Sequence, residues 1–247
     1  MTRVKQVVKS AFGRLGLDLR RRSSVPFGVR WQDDVWYLMD HRGRPTLIDV
    51  GANVGQTAQM LVQRFPDATI YSFEPVPAAF AELQQNTSRF AGVDCVNVAL
   101  GDALGEATIT TDRQGQNTLM PGVSTQVKST VDVNTVDAFC ADRRIDRINV
   151  LKIDTRASKR RCFVDPKKCC RVVASTSCWP SATSSAGGTS LTETSSRFHD
   201  LLAQHRFRVV GLYNGGVDGR GWVWGDALMM REGAADQMAV SCSPFQP

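Results

Sequence analysis

No stretch of the 247-residue chain approaches the ~18 consecutive apolar residues that a membrane-spanning helix needs. No short apolar core with a small-residue cleavage site opens the chain, so secretion is not expected. There is no C-x-x-C pair, and no His stands at zinc-finger distance from the cysteines. His41, His199 and His205 are scattered without ligand spacing, so no metal site is expected. Aromatic residues make up only 8% of the chain, and no basic stripe interleaved with them runs through it. That argues against a nucleic-acid partner.

What is present suits one large α/β domain. The 42% apolar fraction supplies a core and excludes wholesale disorder. The seven cysteines are odd in number, and Cys162, Cys169, Cys170 and Cys178 crowd into one segment. Reduced thiols in a cytoplasmic protein account for them. The net charge of +6 is uneven: residues 1–30 carry eight Lys/Arg against Asp18, and residues 156–192 carry seven against Asp165. The rest of the chain is therefore acidic.

Residues 1–43 read as a basic N-terminal helical extension. Val4, Val7, Val8, Phe12 and Leu15 fall near helical spacing, with Lys5, Lys9 and Arg14 elsewhere on the wheel and Arg20–Arg22 following. Such a helix either packs on its own domain or lies on an anionic membrane. The narrow apolar face favours packing. Residues 233–247 read as a tail.

Between them, residues 44–232 alternate strands and helices. Strand-like runs are 46–51, 69–75, 95–101, 106–111 and 148–154. Helix-like runs are 55–65, 77–90 and 135–144. Near the end, 207–214 and 222–230 read as a strand pair joined by a glycine-rich turn. Alternation of this kind implies right-handed βαβ units and a mostly parallel sheet with an antiparallel edge strand.

The segment carrying chemistry is Asp49-Val-Gly51-Ala-Asn53-Val-Gly55, where the first strand turns into a helix. Glycine there permits positive φ and close ligand approach, and the helix start offers unpaired N–H groups. A dinucleotide fingerprint needs glycine where Asn53 stands, so a nucleoside without a pyrophosphate fits better. Glu74 ends the second strand, where an acid accepts from both ribose hydroxyls. Asp102 follows the third strand, where an acid contacts an adenine amino group. S-adenosylmethionine has that composition: one ribose, one adenine, no phosphate.

TLIDVGANVGQTA, YSFEPVPAAFAEL, NVALGDALGEATI, VNTVDAF, INVLKIDT and WVWGDALMMR together resemble the FkbM family of S-adenosylmethionine-dependent methyltransferases. The resemblance covers residues 44–155 and 197–232. It implies a Rossmann-like class I methyltransferase fold and mostly O-methylation of sugar or natural-product hydroxyls. The acceptor would then be a small molecule or a glycan. It assigns Asp49, Gly51, Asn53 and Gly55 to the cofactor loop, Glu74 to the ribose and Asp102 to the adenine side. Asp154 would face the methyl donor and the acceptor, where it could orient or deprotonate a hydroxyl. A helix-capping role for Asp154 is the alternative.

The likeness breaks directly after Asp154-Thr155. The family usually reads Gln/Glu-Gly-Phe-Glu and then a helix, whereas this chain reads Arg156-Ala157-Ser158-Lys159. Residues 156–196 show no helical apolar period, and their second half is mostly Ser and Thr. A one-base shift opening at Arg156 and closing between Cys178 and Arg197 restores the motif and an amphipathic helix. The segment is therefore expected to supply neither the helix nor the strand that a βαβ unit wants. Two alternatives to an active enzyme follow: a disabled methyltransferase that at most binds its cofactor, or a nucleotide-dependent oxidoreductase, against which Asn53 argues.

Overall fold

Continuous apolar runs stopped by Gly or Pro become the central strands in the computed structural model, which describes residues 2–15, 25–39, 43–111, 127–154, 170–177, 202–204, 206–218 and 221–232. The elements run α1 (Thr2–Arg14), α2 (Trp31–Leu38), β1 (Thr46–Val50), α3 (Gln56–Arg64), β2 (Thr69–Phe73), α4 (Pro77–Thr87) and β3 (Val93–Val96). They continue with β4 (Ala99–Leu100), β5 (Gly105–Thr111), β6 (Val127–Asn134), α5 (Val136–Asp142), β7 (Ile148–Ile153), β8 (Cys170–Ser177), β9 (Phe207–Asp218) and β10 (Gly221–Arg231).

A seven-stranded sheet has the order β3-β2-β1-β7-β8-β10-β9. The first five members are parallel to their neighbours. β10 is antiparallel to both β8 and β9, so the reversed strand stands one place in from the edge. This is an α/β, Rossmann-like sheet, mostly parallel. The chain steps from β1 outward to β3 and later returns to place β7 on the other side of β1. That reversal is the switch point where open α/β sheets bind ligands, at the carboxyl ends of the strands.

Two apolar clusters cover the sheet. One joins Ile48, Val50, Phe73, Phe139, Leu151, Ile153 and Leu202. The other joins Leu47, Leu61, Phe65, Ile70, Val150 and Leu228 to Trp31, Val35 and Met39. α2, which the sequence places in the extension, is thus packed into the domain core. Its acids make that possible. Asp33 pairs with Arg64 at 2.9 Å, and Asp34 accepts from the Tyr213 hydroxyl and the Gly28 N–H, both at 2.7 Å.

Two further expectations change. The single third strand over 95–101 is two short strands in different sheets, β3 and β4, the latter in a small sheet of order β4-β6-β5. Asn97, between them, turns its amide onto the carbonyls of Glu74 and Pro75 at 2.8 and 3.2 Å. The 156–196 segment does supply a strand: β8 lies between β7 and β10. Without it those two strands would present unpaired backbone N–H and C=O groups in mid-sheet, and Arg171-Val172-Val173 has the β-branched content to fill the gap. The helix missing from that segment, and residues 233–247, lie outside the described residues.

Candidate functional site

β1 delivers the glycine loop to the mouth of the sheet, and the loop ties itself to β2. The N–H groups of Gly51 and Ala52 both donate to the Phe73 carbonyl, at 3.0 and 2.9 Å, and that of Gly55 donates to Ala52 at 2.9 Å. These donors are spent within the fold, so the loop does not present them to a ligand. The available donors belong to the first turn of α3, which Gly55 caps without any side-chain bond.

Positive φ is required along this loop. Gly51 has φ +76°, Asn53 +49° and Gly55 +93°. Asn tolerates the left-handed region better than most side chains, which explains its place there. Gly55 also meets α4: a Cβ on it would lie 2.9 Å from Leu83 Cδ1 and 3.3 Å from Thr87 Cγ2.

Glu74 and the loop form one hydrogen-bonded unit. The Asn53 N–H donates to Glu74 Oε2 at 2.9 Å, and the Val76 N–H donates to Oε1 at 2.9 Å. One lone pair on each oxygen remains for two further donors, the demand of a ribose diol. Burial pushes the Glu74 carboxyl above the usual carboxylate range. The two N–H groups and Lys152 oppose that shift, and Asp49 adds to it.

Next to this unit lies a charge pair across the switch point. Asp49 on β1 is the register partner of Lys152 on β7, so their side chains share one face. Lys152 Nζ stands 2.9 Å from Asp49 Oδ1 and 3.6 Å from Asp154 Oδ2. Asp154 follows two residues after Lys152, on the same face, and is held at the strand end by its N–H donating to Val50 at 2.9 Å. Burial lowers the Lys152 ammonium, but the attraction of Asp49 and Asp154 outweighs it and holds the pKa above its ordinary value. Burial raises the Asp49 carboxyl, and Lys152 only partly offsets this. Asp49 is fully sealed from solvent, and its Oδ2 has no hydrogen-bond partner among the described residues. It therefore reaches the mouth through Lys152, whereas Asp154 is exposed there.

The structure thus brings together Asp49, Gly51, Asn53, Gly55, Glu74 and Asp154. Asp102 lies exposed in the bend after β4 and bonds to none of them. Lys152 is the residue that sequence reasoning missed. The signal was a single charge inside the apolar run INVLKI, which burial tolerates only beside a partner. Among the described residues no group of His, Cys, Asp and Glu is arranged to hold a metal ion.

Residues 49–155 match the profile of the Methyltransferase FkbM domain. This stretch is similar to the FkbM methyltransferase domain. Its matched end falls at the residue where the sequence departs from the family pattern. The chain is 28% identical over 136 residues to "Methyltransferase 1" of Beauveria bassiana (strain ARSEF 2860), covering 46% of this chain and 55% of that protein. It is 29% identical over 94 residues to "Methyltransferase sdnD" of Sordaria araneosa, covering 36% of each. The matched segments therefore span about half and about a third of those relatives' lengths. The fold is also similar to an rRNA methylase from Streptococcus thermophilus, at 9% identity and a TM-score of 0.46 over 81% of this chain and 93% of that one. The matched stretch runs from within β1 to just past β7 and holds every candidate site residue named above.

Proposed function

We propose that this FkbM-like domain moves the methyl group of S-adenosylmethionine onto a hydroxyl of a small molecule or glycan. The observation that carries this reading is the unit formed by the glycine loop and Glu74, each of whose carboxylate oxygens keeps a lone pair unspent. Glu74 would hold the ribose hydroxyls, Gly51, Asn53 and Gly55 would leave room for the nucleoside, and Asp102 would meet the adenine side. Asp49 would act from beneath, fixing Lys152.

S-adenosylmethionine supplies an activated methyl carbon on a sulfonium, so the protein's task is mainly to align the acceptor oxygen with it. Asp154, exposed at the mouth and steadied by Lys152, would accept the hydroxyl proton as the acceptor oxygen bonds to the methyl carbon. The bound cofactor would supply the methyl carbon and keep the carbon–sulfur electron pair on sulfur, leaving as S-adenosylhomocysteine. Cys95 is not in a disulfide, which suits a reducing, cytoplasmic setting. No helix among the described residues is long and apolar enough to cross a membrane.

The test is transfer of labelled methyl from S-adenosylmethionine to a panel of sugars and natural-product alcohols. An O-methyl product that disappears with Asp154→Asn, cofactor affinity being retained, is the expected result. Label found only on nitrogen or carbon acceptors would overturn the hydroxyl assignment.

A further inference from the structure

Among the described residues nothing covers the apolar face of α1, against the expectation that it packs on its own domain. Val7 is 68% exposed, Val8 42%, Phe12 37% and Leu15, which follows the helix, 75%. A 100° step per residue places Val4, Val7, Val8, Ala11, Phe12 and Leu15 within one arc of about 140°. The same step places Lys5 and Lys9 along one border of that arc and Arg3 and Arg14 along the other. No acidic residue occurs in the helix, and Arg20–Arg22 lie shortly beyond it.

We infer that α1 is a docking surface for an anionic lipid bilayer, lying in the interface plane with its apolar stripe among the acyl chains. Charge complementarity decides for a bilayer over a second copy of the chain. Cations border both long edges of the stripe, so two copies packed stripe to stripe would set like charges against each other. On a bilayer the same cations meet lipid phosphates on both sides, while the apolar residues sink below them. Attraction of juxtaposed basic residues to an anionic leaflet falls off within a Debye length. Binding of this kind is therefore salt-sensitive and reversible. The inference uses α1 alone and does not rest on the methyltransferase reading.

The test is flotation of the full chain with vesicles of phosphatidylcholine, with and without phosphatidylserine. Severalfold more protein floats with the anionic vesicles, and raising the ionic strength releases it. The double variant Phe12→Glu, Leu15→Glu loses binding with an unchanged melting temperature, because both side chains are exposed in the free protein. The double variant Lys5→Glu, Lys9→Glu loses the preference for anionic lipid. Equal binding to neutral vesicles, no binding to either, or binding that survives Phe12→Glu, Leu15→Glu would overturn the inference. Self-association abolished by that variant would overturn it too, by assigning the stripe to a second copy.

Discussion

Lys152 Nζ lies 2.9 Å from Asp49 Oδ1 across two adjacent parallel strands, and 3.6 Å from Asp154. One buried ammonium thereby links a carboxylate sealed beneath the sheet's mouth to one exposed at it. Such a pair contributes less by its own attraction than its loss would cost, because desolvation offsets most of the gain. Lys152→Met should cost about 3–5 kcal/mol, since Asp49 would be left as an uncompensated buried charge. Lys152→Met combined with Asp49→Leu should recover most of that loss. Denaturant midpoints check both. A single variant as stable as wild type would show that the pair is not what holds Asp49 ionised.

A second prediction concerns Glu74. Glu74→Ala removes the acceptors for two donors and should weaken S-adenosylhomocysteine binding by about 2–4 kcal/mol. Gly51→Val should be as harmful, by blocking the loop at a φ of +76°. Calorimetry checks both, and an unchanged affinity in either case would remove that residue from the site.

The pH dependence of the same site has a definite sign. Burial raises the Glu74 pKa in the folded protein above its unfolded value. Its contribution to stability is then present below the unfolded pKa and lost as pH rises through the folded one. At neutral pH the ionised carboxylate is carried at a cost, which donors from a ribose would offset. Affinity for S-adenosylhomocysteine should accordingly fall as pH drops through the raised pKa, with uptake of a proton on release. Glu74→Gln should flatten the profile. A profile of unaltered slope in the variant would assign the titration elsewhere.

The strands and helices from β1 to α4, together with α5 and β7, were legible because their apolar runs end at Gly, Pro or an N-cap. Thr135 is such a cap, accepting from the Ala138 N–H at 3.1 Å. α2 was not legible as part of the domain, because residues 1–43 read as one basic extension and nothing local marks Asp33 and Asp34 as buried. Their partners Arg64 and Tyr213 lie far along the chain, and no local pattern reveals them. Lys152 was hidden for the same reason: its partner Asp49 sits about a hundred residues earlier and meets it only through strand register. β8 lay within a segment of scrambled pattern, and its place is set by the two strands on either side of it. The glycine loop was read correctly as a turn with positive φ. The N–H groups left for a ligand are those of the helix start, as the sequence indicated, and only the fold shows the Phe73 carbonyl taking the two from Gly51 and Ala52.

The anchoring of α2 gives a further prediction. Tyr213→Phe removes one of the two donors that Asp34 has among the described residues, leaving the Gly28 N–H on that buried carboxylate. A cost of about 1–3 kcal/mol is expected. Cofactor affinity should be unchanged, because neither residue lies at the strand mouth. Thermal unfolding with and without S-adenosylhomocysteine separates the two effects.

The central claim is that the glycine loop and Glu74 form a nucleoside site for S-adenosylmethionine. Calorimetric titration of the folded chain with S-adenosylhomocysteine, and in parallel with NADH, tests it most directly. The account predicts saturable one-to-one binding of S-adenosylhomocysteine, lost in Glu74→Ala at unchanged fold, and no heat with NADH. Binding of NADH, or a folded protein with no affinity for S-adenosylhomocysteine, would contradict it.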